Sequence, residues 1–171
     1  PTSLYGHALV RIPEGIREVI GQRLNRLSVQ VNQMLTCAAV IGRTFEVDLL
    51  ARLVDGLDEE ALASALEEAL RAGVIEVLPA PGRYRFGHAL FRETLYEEIA
   101  PPRRGRLHVK VGRALQAAHA NDLERHLPAL AHHFWAALPG GDAALALAYA
   151  QRAAEQANKL LAHEESVRYY G

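Results

Sequence analysis

The chain has 171 residues, of which 50% are hydrophobic and 23% are charged. This ordinary globular composition excludes a disordered or collagen-like chain, and the length allows one average domain or two small ones. The formal net charge of −1 argues against a dedicated nucleic-acid binder, because such proteins usually carry a strong positive excess.

The first predicted elements are helices. Residues 1–12 have no sustained hydrophobic period and are interpreted as a connector. A helix then begins at Pro13, whose missing N–H is not needed at that position. Ser28 is a suitable N-cap for a second helix, which buries an apolar stripe and ends near Gly42. The stripe consists of Val31, Met34, Leu35 and Ala38.

The hydrophobic period then changes. A short helix is predicted over 46–54, and a longer one over 58–71, with an aspartate as its cap. Two β-type runs, 74–78 and 83–86, flank the turn-rich tetrapeptide 79–82 and predict a β-hairpin. Three helices followed by a hairpin are the element order of a winged helix.

The remainder of the chain predicts only helices. A helix over 88–99 ends before Pro101-Pro102, which marks a domain boundary. Further helices follow, and after a break at 139–141 a seam of alanines is typical of antiparallel, tetratricopeptide-type repeats. A last helix is expected to start at Glu164. The alanines of the seam are Ala146, Ala150, Ala153, Ala154 and Ala157.

These patterns predict a mainly α fold. It comprises a winged-helix domain with one small β-hairpin, followed by antiparallel, tetratricopeptide-like helical repeats. The predicted divisions are a linker helix within 1–27, the winged-helix domain over 28–100 and a truncated repeat region over 101–171. Since the chain starts at Pro1, it is expected to be a piece of a longer protein.

No catalytic motif occurs in the sequence, which lacks a P-loop and the common zinc-protease and serine-hydrolase signatures. The single cysteine, Cys37, allows neither an internal disulfide nor a multi-thiolate zinc site. His126 and His133 lie two helical turns apart, roughly 10 Å, which is too far for one zinc ion without a neighbouring helix. With His132 between them, they are therefore interpreted as solvated or capping residues. The chain is expected to have no enzymatic activity and no metal.

Location is predicted from two absences in the sequence. No apolar run is long enough to cross a bilayer, and no basic-then-apolar signal peptide begins the chain. A soluble, cytoplasmic protein with no membrane contact is expected.

Charge is distributed unevenly along the chain. Between Glu46 and Arg71 there are eight acidic residues and two arginines, which would repel DNA phosphates from this face. A second segment carries five cations within eleven residues, and cations at a helix start oppose the helix dipole. We expect this basic segment either to pair with an acidic surface of the same chain, such as the helix over 58–71, or to contact an anion or a partner protein. Its cations are Arg103, Arg104, Arg106, Lys110 and Arg113.

Four segments resemble a known protein class. Residues 12–28, IPEGIREVIGQRLNRLS, resemble the end of the ATPase module in signal-transduction ATPases with numerous domains, the STAND class. Residues 83–96, RYRFGHALFRETLY, are similar to the end of their winged-helix domain. Residues 103–108 and 130–134 are similar to the start of their helical-repeat region. Bacterial members include large LuxR-type transcription regulators and proteins with a nucleotide cyclase domain beside the ATPase.

The resemblance implies a regulatory fragment of a nucleotide switch, in which ADP locks a closed form and ATP exchange releases it. The P-loop would lie upstream, so 1–27 would end the nucleotide-binding module, and ATP or ADP would be a cofactor of the longer ATPase only. Related members place a histidine against the ADP β-phosphate near the end of the winged helix, and the similar motif FGHAL carries this role onto His88. The alternative for His88 is a simple helix cap.

The partners implied are the upstream nucleotide-binding domain and an inducer or protein at the helical repeats. Two other functions stay open from the sequence. One is a winged-helix transcription factor that binds DNA directly, against which the acidic third helix argues. The other is a helical-repeat scaffold for protein interactions.

Overall fold

The computed structural model describes residues 14–138 and 140–170, which are mainly helical with one small antiparallel sheet. The predicted connector over 1–12, together with Pro13 and Pro139, lies outside the described residues. Within the described part of the chain, no helix has both the length and the apolar character needed to cross a membrane. In chain order the elements are α1 (Glu14–Asn25), α2 (Val29–Ile41), β1 (Thr44–Glu46), α3 (Val47–Ala51), α4 (Glu59–Arg71), β2 (Ile75–Val77), β3 (Arg83–Phe86), α5 (Ala89–Glu97), α6 (Pro101–Ala118), a 3-10 helix (Leu123–His126), α7 (Leu127–Ala136) and α8 (Ala143–Tyr170).

Side-chain caps begin the helices where the sequence predicts them. The Ser28 hydroxyl accepts a hydrogen bond from the backbone N–H of Val31 at 3.3 Å, which caps α2. The Asp58 carboxylate accepts one from the N–H of Ala61 at 2.8 Å, which caps α4. Each cap satisfies a backbone donor that the first helical turn leaves open. Gly42 ends α2, so these three predicted boundaries are confirmed.

The sheet contains one strand more than the predicted hairpin. β2 and β3 pair antiparallel around the turn 79–82, as predicted, and Gly82 adopts a left-handed conformation with φ of +68° in that turn. β1 pairs antiparallel with the other edge of β3, so the strand order is β1-β3-β2. The segment 44–46 is therefore strand, and the helix predicted over 46–54 is shortened to α3.

The extra strand is explained by the burial of a single aromatic residue. Phe45 is 3% exposed, whereas Thr44 and Glu46 on either side of it face solvent, which is the alternation of a half-buried strand. The Phe45 ring lies 5.8 Å from the rings of Tyr84 and Phe86 on β3. These contacts hold residues 44–46 extended against the sheet.

One hydrophobic core runs through the described residues, with α2 at its centre. This helix packs against α4, α5 and α6, and α6 also packs against α3. Apolar contact therefore continues past Pro101, and the division of the chain at residue 100 stays a prediction. The predicted stripe of α2 is confirmed, with all four side chains fully buried: Val31, Met34, Leu35 and Ala38.

Helices α6, α7 and α8 run antiparallel in succession. Gly105 near the start of α6 lies against the Ala137 carbonyl just after α7, while the rings of His119 and His126 stack where α6 ends and α7 begins. The Phe134 and Tyr149 rings stack at 5.4 Å and join α7 to α8.

The predicted alanine seam is correct only in part. Ala146 is fully buried and Ala150 and Ala153 are half-buried, whereas Ala154 and Ala157 are exposed. The later alanines are exposed because α7 is much shorter than α8. With 10 residues, α7 covers only the first part of the 28-residue α8.

The expectation of a separate helix from Glu164 is wrong. Asp142 caps α8 through a 3.1 Å hydrogen bond from the Leu145 N–H, as predicted, and the helix then continues to Tyr170. Residues 158–164 contain neither glycine nor proline and are mostly good helix formers, so nothing in that segment ends the helix.

Candidate functional site

His88 is the N-cap of α5. Its backbone is extended directly after β3, and its Nδ1 accepts a hydrogen bond from the Leu90 N–H at 3.2 Å. An imidazole nitrogen that accepts is unprotonated, so the neutral ring carries its proton on Nε2. The side chain is exposed, and this Nε2–H has no acceptor among the described residues. The cap is thus present, and it leaves one donor directed away from the helix.

The residue before this cap is held close to a neighbouring turn. The Gly87 N–H donates to the Val74 carbonyl at 2.9 Å, and a Cβ atom added at Gly87 would lie 3.1 Å from the Gly73 carbonyl oxygen. A larger residue would therefore push the hairpin away from the end of α4. Glycine at this position keeps His88 in its place after the hairpin.

Two cations of the basic segment of α6 contact other residues of the same chain. The Lys110 ammonium donates to the Asp55 carboxylate at 2.8 Å and to the Leu53 carbonyl at 2.9 Å. Its acidic partner therefore lies in the loop before α4 and not on the helix over 58–71. The Arg104 guanidinium lies over the Tyr96 ring, 4.9 Å from its centroid.

Two other cations of this segment face solvent. Arg103 and Arg106 are exposed, and neither forms an ion pair within the described part of the chain. Together with Lys110 and Cys37 they line a cleft of about 420 Å³ between α2 and α6. Burial raises the pKa of the Cys37 thiol, so this wall of the cleft is neutral. Arg103 and Arg106 stay candidates for an anion or a partner protein.

Three histidines meet between α6 and α7. His108 and His133 are 0% and 2% exposed, and their Nδ1 atoms lie 2.9 Å apart, a hydrogen-bond distance. The other ring nitrogen of His108, Nε2, lies 2.8 Å from the Tyr96 hydroxyl. His132 is exposed, and its ring centroid lies 5.7 Å from that of His108. One nitrogen from each of the three rings falls within 4.8 Å of the others.

Sequence reasoning missed this cluster because it compared histidines along one helix only. His126 stacks on His119 at 3.6 Å and stands apart from the trio. The missing member, His108, comes from the neighbouring helix, three residues before Val111 on the same buried face. The sequence signal that could have revealed the cluster was the position of His108 among the buried apolar residues of α6. The expectation that no metal binds was based on His126, His132 and His133, and it did not include His108.

Burial keeps the cluster uncharged at neutral pH. The pKa of His108 is lowered to about 4 and that of His133 to about 3, mainly by loss of solvation and to a smaller extent by neighbouring groups that carry or can carry positive charge. These groups include Arg92, whose guanidinium lies 5.4 Å from the Tyr96 centroid. The pKa of His132 is lowered in the same direction, first by the partial loss of solvation of its ring and then by Arg92. All three imidazoles are therefore neutral near pH 7, the form that binds metal ions.

Comparison with known proteins gives little further information on this site. No family model matches the chain, and no solved structure matches it. An uncharacterized protein of Rhizobium meliloti (strain 1021) is 30% identical over 92 residues. The matched segment is 53% of this chain and 9% of that relative, so the match covers less than a tenth of the length of a much longer protein.

Proposed function

We propose that the chain is a non-catalytic regulatory unit of a STAND-type, ATP-dependent signalling protein. In this role it couples the nucleotide state of an upstream module to a helical sensor. The observation that carries the proposal is the geometry of His88, which caps the helix after the hairpin and still directs an Nε2–H donor outward.

The arrangement of elements supports this proposal. α2, α3 and α4 precede the β2–β3 hairpin, and β1 completes the sheet on the far side of β3. This order supports the winged helix that we propose, in which β2 and β3 would be the wing and His88 would begin the first helix after it. The backbone N–H groups at that helix start, together with the histidine Nε2–H, form a suitable environment for a phosphate group.

A continuous run of contacts leads from α5 to the helical region. The Arg23 guanidinium of α1 lies over the Phe91 ring at 5.7 Å, and the Arg92 Nε donates to the Ala39 carbonyl of α2 at 3.0 Å. Further along α5, the Tyr96 hydroxyl bonds to His108 on α6. A change in the position of α5 would therefore alter the packing of α6, which is a physical route for the coupling that we propose.

Direct DNA binding is the weaker alternative. On the hairpin, Arg85 bonds to the Glu76 carboxylate at 2.6 Å, and Arg83 lies 3.4 Å from Glu46 on β1. These carboxylates neutralise the two cations that would otherwise contact a DNA backbone. α4 adds exposed carboxylates at Glu59, Glu60 and Glu67. A mobility shift with duplex DNA at low salt would favour the alternative if it appeared.

A protein-interaction scaffold is the second alternative, and one observation favours it. Trp135 on α7 is 62% exposed, and tryptophan is enriched at the energetic centres of protein interfaces. Recovery of a stable partner whose binding ignores the nucleotide state of the longer protein would support this function over ours.

The proposal predicts faster ADP release when His88 is replaced by alanine in the longer protein. The Nε2–H bond to a phosphate is worth about 1–3 kcal/mol, so the ADP off-rate should rise roughly 5- to 150-fold. ATP release should change less, because the contact belongs to the closed state. Stopped-flow release of a fluorescent ADP analogue measures both rates.

The matched control is His88→Asn. Asparagine is a good N-cap, so it preserves the bond to the Leu90 N–H but does not reach as far as the imidazole Nε2. Both variants should therefore release ADP faster, while only His88→Ala should lower the melting temperature. If neither variant alters ADP release and only His88→Ala is less stable, His88 is a cap and the proposed function fails at this residue.

A further inference from the structure

We propose that His108, His132 and His133 form a binding site for a divalent transition-metal ion of the zinc class, held between α6 and α7. This inference does not rest on the role of His88 in the proposed function, although it shares the contact between Tyr96 and His108 with the proposed coupling route. Three imidazoles are a ligand set that suits zinc, copper or nickel, and the trio contains no carboxylate that would favour calcium or magnesium.

The spacing of the ligand atoms carries the proposal. In a tetrahedral zinc site with metal–nitrogen bonds of about 2.0–2.1 Å, two ligand nitrogens lie roughly 3.3 Å apart. The Nδ1 atoms of His108 and His133 are 2.9 Å apart, so a shift of a few tenths of an ångström exchanges their hydrogen bond for two metal bonds. The ligand nitrogen of His132 lies within 4.8 Å of both. Its ring is on the exposed side of the cluster, where it can rotate toward the ion.

The surroundings of His108 fit a metal ligand. Histidines that bind a metal through one nitrogen usually donate the other N–H to an oxygen, which fixes the tautomer. When His108 binds through Nδ1, its Nε2–H donates to the Tyr96 hydroxyl oxygen at 2.8 Å. Tyr96 is itself held by the guanidinium groups of Arg92 and Arg104, at 5.4 and 4.9 Å from its ring centroid. The ring orientation that the ion requires is therefore already set.

The charges around the cluster indicate what the fourth ligand would be. Arg92 and Arg104 oppose a bare cation at this position, and three protein ligands leave one coordination position open. An anion or hydroxide at that position would reduce the positive charge and be stabilised by the same guanidinium groups. Access is through the side of His132, the exposed member of the trio.

Metal titration of the 171-residue chain tests the proposal. After removal of any purification tag and treatment with a chelator, the protein is titrated with zinc chloride in a calorimeter at pH 7.5. A parallel titration with cobalt chloride follows the visible absorption of four-coordinate Co²⁺. We expect one ion per chain with micromolar or tighter affinity, and intense visible bands of the cobalt form.

Variants separate this site from other histidines. His132→Ala removes an exposed ligand without opening the core, and it should weaken zinc binding more than about 100-fold, beyond the 10- to 100-fold typical of a lost outer partner. Tyr96→Phe should weaken zinc binding by that smaller factor. His126→Ala changes a histidine of the 3-10 helix before α7, in the separate stacked pair with His119, and should leave affinity and stoichiometry unchanged.

Three results would overturn the proposal. They are the absence of saturable zinc binding by the unmodified chain, full binding by His132→Ala, and loss of binding by His126→Ala. The last result would assign the ion to the His119 and His126 pair.

Discussion

Lowering the pH from 7 toward 4 is expected to remove several kcal/mol from the free energy of unfolding. Burial depresses the pKa of His108 to about 4 and that of His133 to about 3 in the folded chain, against an ordinary value of about 6.5 when unfolded. Between these values the unfolded chain binds protons that the folded chain excludes, so stability is complete above pH 6.5 and falls as the pH decreases.

The size of the effect follows from the number of protons. Each histidine contributes a slope of at most about 1.4 kcal/mol per pH unit, so the pair accounts for up to roughly 8 kcal/mol over the whole window. That is comparable to the total stability of many domains. Urea unfolding at pH 7.0, 6.0, 5.0 and 4.5 measures the slope. A free energy of unfolding that stays constant between pH 6.5 and 5 would contradict the prediction.

The matched variant for this experiment is the double replacement His108→Gln/His133→Gln. Glutamine retains hydrogen-bonding groups but does not titrate, so the loss of stability between pH 6.5 and 5 should be much smaller. His126→Ala serves as the control, because His126 is only half-buried and outside the trio. The pKa of His126 is also lowered, first by burial and then by His119, so this variant should lose only a part of the slope and retain the part that the trio contributes.

Replacing Gly112 by valine is expected to destabilise the fold by about 1–3 kcal/mol, through overpacking between α6 and α7. A Cβ atom added at Gly112 would lie 2.8 Å from Cζ of Phe134 and about as close to two other ring atoms. The Phe134 ring is 3% exposed and stacked on Tyr149 at 5.4 Å, so it has little room to move aside. The two helices would have to separate, and the buried contacts along both would weaken.

The control is a glycine in an open position. A Cβ atom at Gly21 on α1 meets nothing within 4 Å, so Gly21→Ala should gain up to about 1 kcal/mol from helix propensity alone. The urea concentrations at the unfolding midpoints of the two variants and of the unmodified chain measure both changes in stability. If Gly112→Val unfolds at the same urea concentration as the unmodified chain, the contact with Phe134 is not tight.

Features of the fold that depend on near neighbours were predictable from the sequence. Ser28, Gly42 and Asp58 mark helix ends because a cap bonds to atoms two or three residues away, or needs a special backbone conformation at one residue. The β2–β3 hairpin was predictable for the same reason, since its turn spans only 79–82. A mainly helical chain with a small antiparallel sheet is confirmed, whereas the winged-helix and repeat assignments stay predictions.

Features that depend on distant neighbours were not predictable. β1 is three residues long, and the alternation of exposed and buried residues over so short a segment does not by itself predict a strand. The strand forms because it pairs with β3, which follows about 40 residues later. The ion pair of Lys110 with Asp55 likewise joins residues 55 apart. The histidine cluster required His108 to meet His133 from another helix. The spacing of residues along one helix does not indicate which side chains of another helix they contact. The candidate metal site was therefore found only from the way α6 packs against α7.

The position of β3 at the centre of the sheet has a consequence for the order in which the chain folds. β3 pairs with β2 across a tight turn, and hairpins of this kind close in about 1–10 μs. Its other edge pairs with β1, and that pairing must close a loop that contains α3 and α4. Since the entropic cost of closure rises with loop length, the hairpin should form early and β1 should dock late. Interactions of Phe45 would then govern how fast the native chain opens more than how fast it forms.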